Sequence, residues 1–304
     1  MSVAASVPSD ENLFIVDAMM MGQPRYGGVY ILRAPKPAIV ETAFSHTLDR
    51  TLQALDDVGL VPEDVAYIAP THVHMDHAGG AGYLAEACPH AEVVCHHVGA
   101  PHLADPSKLV KSVARAVGPN FEHYGEMKPV PEDRLVSIDE GDRLDLGGGY
   151  GLEVLDTPGH APHHASFYEP QTKGLFAGDA VGIYRPELVG FQMTTPPPAF
   201  HLEDWLRTHQ RLRELDLDWL YFTHFGAHSD PMTLIDEHER LLRKWVENVQ
   251  QALDDRGDDQ AVKDHFVEQA DPALADAYGP EGLRAEIEMN VQGVLIYLSK
   301  HATP

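Results

Sequence analysis

The segment Thr71-His72-Val73-His74-Met75-Asp76-His77 puts three imidazoles and a carboxylate within six residues, directly behind the apolar run VAYIAP and ahead of Ala78-Gly79-Gly80. A short apolar run that ends in a Gly-rich stretch reads as a buried strand turning into a helix. On such a tight turn, alternate residues can aim at one metal ion while the next two aim at its neighbour. Neutral imidazole nitrogen and carboxylate oxygen suit zinc, at about 2.0–2.2 Å, and also iron or manganese. A lone histidine is more often a hydrogen-bonded or surface residue than a ligand. Here the 19 histidines are bunched with aspartates rather than scattered, and the bunching is the informative feature.

Charge narrows the choice of partners. Forty-seven Asp and Glu against 22 Lys and Arg leave a formal charge of −25 over 304 residues. Such a field repels nucleic-acid phosphates and anionic lipid, so a small-molecule substrate is expected, with no nucleic acid and no membrane among the partners. An acid-rich, Lys-poor surface also suits a salt-rich cytoplasm. No apolar run approaches the roughly 20 residues needed to cross a bilayer. Met1 to Asp10 lack a basic stretch followed by an apolar one, so a cytoplasmic location is expected. Cys88 and Cys95 are too few for a disulfide framework and read as small buried residues. There is no Gly-x-Ser-x-Gly elbow and no phosphate-binding Gly-x-x-x-x-Gly-Lys loop, and Gly147-Gly148-Gly149 reads as a hairpin turn.

Read for organisation, residues 13–44 are short apolar runs split by Gly and Pro, expected as neighbouring antiparallel strands. A helix capped by Ser45 should run from about His46 to Val58, with Leu52, Leu55 and Val58 on one face. A further helix is expected after His77, then a strand at AEVVCHH. Residues 99–133 change character and read as an inserted helical flap, with HLADPSKLVKSVARAV as one amphipathic helix. Strand patterns resume at LVSIDEGDRLDLGGGYGLEVLDTPG, HASFYEP and LFAGDAV, then comes a helix from His201 to about Leu215, and DWLYFTH should be the closing strand. From Pro231 the pattern is helical to the end, with DDRGDDQ (254–260) as a polar linker. This gives a catalytic domain over 1–230 and a helical extension over 231–304.

The run His-x-His-x-Asp-His behind a strand, followed by Ala78-Gly79-Gly80, resembles the signature of the metallo-β-lactamase-fold hydrolase superfamily. TPGHAPHH with His160, FAGDAV with Asp179 and YFTHFGAH with His224 supply the rest of the family pattern in order, each at the end of an expected strand. The resemblance covers residues 13–230. It implies an α+β architecture, a four-layer αβ/βα sandwich, here with the helical flap and the C-terminal helices added. It also implies that His72, His74 and His160 hold a first metal, that Asp76, His77 and His224 hold a second, and that Asp179 bridges them. Two divalent ions, zinc first with iron or manganese as alternatives, are the implied cofactors. His163 and His164 are expected beside the site or on the surface.

What such a site does follows from charge: a zinc-bound water has its pKa lowered toward about 7, so a bridging hydroxide can attack without a Ser or Cys nucleophile. Asp76 is the implied catalytic carboxylate, able to accept the hydroxide's hydrogen bond and move a proton to the leaving group. Tyr124, Tyr184 and His228 are candidate substrate-binding residues, joined by His123 and Met127. The fold hosts many chemistries, so the substrate must be read from the loops. The tail is mostly acidic, with Arg240, Arg243, Lys244 and Lys263 among its few cations, which argues against a glutathione thioester, and the net charge argues against a phosphodiesterase or ribonuclease. A small ester, thioester or lactone remains, with a mononuclear iron persulfide dioxygenase as the alternative on the same fold. A homo-oligomer is left open.

Overall fold

Why the chain makes layers is visible in the alternation of its strands. The structure, a computed structural model, describes residues 2–301. Its first half contains β1 (Ala4–Val7), β2 (Asp10–Asp17), β3 (Gly28–Leu32), β4 (Ala38–Val40), α1 (Leu48–Asp57), β5 (Tyr67–Ala69), α2 (Met75–Ala78), α3 (Ala81–Ala87), β6 (Glu92–His96), α4 (Ala100–Ala104), α5 (Ser107–Val117) and β7 (Leu135–Ile138). These seven strands form one sheet in sequence order, antiparallel from β1 to β4 and parallel from β4 to β7. All of β3 is buried, because Val29 and Ile31 point to the helices on one face while Tyr30 and Leu32 point to a second sheet on the other.

The second half contains β8 (Arg143–Gly147), β9 (Tyr150–Asp156), β10 (Ala165–Glu169), β11 (Gly174–Gly178), β12 (Ile183–Arg185), β13 (Gly190–Gln192), α6 (Leu202–Leu212), β14 (Trp219–Phe222) and β15 (Gly226–Ser229). Its six-stranded sheet has the order β15-β14-β11-β10-β9-β8, and α6 lies in the connection between the parallel pair β11 and β14. The inner faces of the two sheets meet over Leu13, Tyr30, Val94, Leu152, Phe167, Phe176 and Tyr221. Leu175, Leu220 and Phe222 turn outward to Leu212 and Ile235. The four-layer sandwich is therefore present. Helices α7 (Pro231–Arg256), α8 (Asp259–Glu268) and α9 (Pro272–His301) follow, and α7 and α9 share an apolar core with Phe200 and Trp205. Among the described residues no helix is long and apolar enough to cross a membrane.

Several local expectations are corrected. Ser45 does not cap a helix: residues 45–47 form a 3-10 turn, the Thr47 hydroxyl donates to Phe44 O, and α1 starts at Leu48 with no side-chain cap. The expected single flap helix is two, α4 and α5, because Pro106 has no N–H and disfavours the helical conformation at Asp105. The β12–β13 ribbon carried no clear strand signal, and β14 is not the last strand, since β15 follows it as the sheet edge. The polar linker shrinks to Gly257 and Asp258. Gly257 takes the left-handed conformation that ends α7, and the Asp258 side chain accepts from Ala261 N to start α8. His201 caps α6 as expected, accepting from Asp204 N, and both cysteines are buried and free.

Candidate metal centre

Four chain segments leave their strands at one edge of the sandwich. Beyond β5, His72 and His74 lie in the connecting loop with His74 at the N-cap of α2, whose first turn carries Asp76 and His77. His160 follows β9, Asp179 follows β11 and His224 follows β14. Two glycines make the approach feasible. At Gly159, with φ +134, a Cβ would collide with the Trp205 backbone, and at Gly178, with φ +51, with Thr71 and His164.

The seven residues expected at the site are brought together. His74 Nδ1 lies 2.9 Å from both His72 Nε2 and His160 Nε2. Asp76 Oδ2 lies 3.5 Å from His77 Nε2 and 3.4 Å from His224 Nε2. Asp179 stands between the groups, with Oδ2 at 3.4 Å from His160 Nε2 and Oδ1 at 3.4 Å from His77 Nε2. Buried Asp179 Oδ1 has no hydrogen-bond partner.

The other ring nitrogens settle the tautomers. The Thr71 hydroxyl spends its proton on Glu41 Oε1, so it accepts from His72 Nδ1–H. His160 Nδ1 donates to Thr194 O, His77 Nδ1 to Glu41 Oε1, and His224 Nδ1 to Tyr26 O. In their neutral forms these four rings therefore aim bare Nε2 lone pairs inward. The bare Nε2 atoms of His77 and His224 facing each other across 3.4 Å, beside an orphaned carboxylate oxygen, are part of a donor set that fits divalent cations.

Electrostatics divides the site in two. Burial and the neighbouring imidazoles push His72 and His74 well below the ordinary value, and burial lowers His160, so that trio is neutral. Burial also opposes charge on His77, but Glu41, Asp179 and Asp76 outweigh it and raise that ring well above its usual value. His224 is raised in the same way, mainly by its hydrogen bond to Asp76. Burial works against the charged forms of Asp76 and Asp179 too, yet His77 and its neighbours hold both carboxyls down. Positive charge is wanted where the two carboxylates sit; protons supply it when no metal does.

His164, expected beside the site or on the surface, is beside it, and two residues that pattern reading did not single out, Glu41 and Thr194, also hold these donors in place. Glu41 is buried, and its carboxylate accepts from Thr71 Oγ1, Thr223 Oγ1, His77 Nδ1 and Thr71 N. His164 is buried, accepting from Asp179 N through Nε2 while Nδ1 meets Thr157 Oγ1. Thr194 is fixed through its neighbour, since Thr195 N and Oγ1 donate to Asn290 Oδ1 and O on α9. No local motif marks Glu41 or Thr194.

A cavity of about 230 Å³ opens on the donors, lined also by Phe44, Tyr124, His163 and, from α9, Glu286 and Met289. Tyr124 is thus placed at the site. Tyr184 and His228 are not: their rings pack edge to face 4.8 Å apart, with Phe222 against both, and neither lines the cavity. His123 lines an adjoining cavity, whereas Met127 packs into the helical side of the core.

Fold and site together define a metal-binding αβ/βα sandwich of the hydrolase type. The chain belongs to the metallo-beta-lactamase superfamily, whose family model matches residues 29–224. It is 28% identical over 233 residues to the metallo-beta-lactamase fold-containing protein ST1585 of Sulfurisphaera tokodaii, covering 75% of this chain and 77% of that one. The crystal structure of the same archaeal protein covers 93% of this chain and 98% of its own, with a TM-score of 0.69 at 23% identity. Glyoxylase B2 of Dictyostelium discoideum is 25% identical, covering 80% and 74% of the two chains. An N-acyl homoserine lactonase of Bacillus cereus is 28% identical, covering 59% and 62%.

Proposed function

We propose that this chain is a dinuclear metallohydrolase of a small ester, thioester or lactone. The observation that carries the reading is the pair of donor trios, His72/His74/His160 and Asp76/His77/His224, with Asp179 between them and one of its oxygens unpaired. Two dications close together repel, and a carboxylate with two oxygens can bridge them where an imidazole cannot. Nitrogen and oxygen donors favour zinc, with iron or manganese as alternatives. When bound, such ions supply Lewis-acid activation of the substrate oxygen and water acidified toward neutral pH.

The protein's own groups do the rest. Both carboxylates of the donor set line the cavity, but Asp76 is the more open to it, with 29% of its side chain exposed against 4% for Asp179. It can carry a proton between the attacking water and the leaving group. Phe44, Val73 and Met289 add apolar surface to the wall beside the donors. The name of the Bacillus relative, an N-acyl homoserine lactonase, supports lactone chemistry. The test is metal analysis of fresh protein, then lactones, thioesters and phosphodiesters assayed with and without His72→Ala. Two zinc per chain with chelator-sensitive ester or lactone hydrolysis is the expected result. One iron per chain with oxygen consumption on a persulfide would replace this reading, and protein that cannot be loaded with metal would end it.

A further inference from the structure

The donor-lined cavity adjoins a second one of about 510 Å³, and the two share Tyr26, Val117, Tyr124, Glu286 and Met289. Tyr278 completes the wall of the second, its ring 5.6 Å from that of Tyr26 and its hydroxyl donating to Gln192 Oε1. Tyr278 comes from the first part of α9, Glu286 from beyond the break at Gly279 and Pro280. Outside the donor set, the charged side chains lining the two spaces are Glu281 and Glu286, with no Lys or Arg among the described residues. Arg185 lies over the Tyr26 ring at 5.5 Å but lines neither cavity. Arg115, Lys263 and Arg284 line a third groove that shares Val117, Glu281, Ala285 and Met289 with the second cavity, and there Arg284 is paired with Asp264 and Glu288.

Aromatic walls around a carboxylate suit an organic cation, since ring faces attract an ammonium while its alkyl groups fill apolar space. The chain's charge of −25 adds long-range attraction of the same sign. We propose that Tyr26, Tyr124, Tyr278 and Glu286 form a subsite for an ammonium group carried by the substrate, which makes the preferred substrate a cationic ester, thioester or lactone. This rests on the hydrolase reading above. Glu286 is tied to Asn290, whose Nδ2 donates to Oε1 at 3.1 Å, so its carboxylate is held at a fixed place on the wall. Burial, with the Asp76 carboxylate adding to it, pushes the Glu286 carboxyl up to about 7, and a bound ammonium would hold it ionised.

The test compares acetylcholine with its uncharged isostere 3,3-dimethylbutyl acetate on metal-loaded protein, alongside calorimetric titration with tetraethylammonium chloride. Wild type should favour the cationic ester in kcat/KM by about 10- to 30-fold, mostly through KM, the span that such contacts supply. Glu286→Gln and, separately, Tyr278→Leu should bring the ratio toward one and weaken tetraethylammonium binding at least about tenfold. Two variants are used so that a folding defect in one leaves the other to decide. Equal or better turnover of the neutral ester, with no tetraethylammonium binding, overturns the subsite and leaves the hydrolase. Glu286-dependent tetraethylammonium binding without hydrolysis of either ester supports the subsite and counts against the hydrolase reading instead.

Discussion

Replacing Glu41 by Gln should damage the second donor trio without touching a ligand. Glu41 Oε1 accepts from Thr71 Oγ1 at 2.7 Å, Thr223 Oγ1 at 2.9 Å and His77 Nδ1 at 3.0 Å, and Oε2 from Thr71 N at 3.2 Å. The residue sits at φ 69, a conformation few L residues adopt, so these bonds also hold a strained backbone. Glutamine can keep the three bonds to one oxygen, but each falls from charge-assisted to neutral, a loss of about 1 kcal/mol apiece. Its amide then faces the Thr71 N–H donor to donor, leaving a buried group unpaired at about 1–3 kcal/mol. The sum is about 4–6 kcal/mol against folding, large beside a typical total stability of about 5–15 kcal/mol. Loss of the partner that orients His77 should also weaken metal binding about 10- to 100-fold. Urea unfolding of metal-free protein and competition with a chromophoric chelator read the two effects separately. Glu41→Asp, which keeps the charge, should retain more metal affinity than the amide. Wild-type stability and metal affinity in Glu41→Gln would refute the assigned role.

Other expectations are more local. Asp76→Ala should lower the metal content from two ions to one and reduce turnover by about 10²- to 10⁴-fold, read by elemental analysis and steady-state rates. Gly293→Ala would drive a Cβ into the Thr195 carbonyl, prising α9 from the segment that orients His160. Its cost should exceed about 2 kcal/mol by denaturant titration, with weaker metal retention alongside. Burial pushes His209 down to about 4, so the folded chain leaves neutral a ring that the unfolded chain protonates below 6.5. Its contribution is present above pH 6.5 and lost as the pH falls toward 4, by roughly 3 kcal/mol. His209→Gln should therefore flatten stability against pH over that window. An unchanged slope would show that other buried histidines carry the acid sensitivity.

The site was legible where chemistry is local. Three histidines and an aspartate share one turn, and His160, Asp179 and His224 each follow a strand whose ending was readable from its Gly or Pro context. Glu41 was not legible, because its partners lie 30, 36 and 182 residues away and VETAF offers no periodicity or motif. Tyr184 and His228 misled for a related reason. They stand five residues beyond Asp179 and four beyond His224, yet nearness in sequence says nothing about which face the chain leaves by. The β12–β13 ribbon turns Tyr184 into a stack with Phe191 and Phe222 instead.

The amino-acid order alone marked out most strands and helices, because apolar runs and Gly/Pro punctuation are local consequences of backbone geometry, and it determined the kinds of metal donor available, while the four layers were implied by the resemblance to the family. Tertiary structure alone decided which nitrogen of each ring faces inward. That choice depends on Thr71, Thr194, Glu41 and Tyr26 O taking the opposite nitrogen, and those partners arrive from separate strands and loops. It also decided that α9 brings Glu286 and Met289 to the cavity wall. A helix's own pattern says which face is apolar, but its docking is set by one close backbone approach, Gly293 on Thr195, between residues nearly a hundred positions apart.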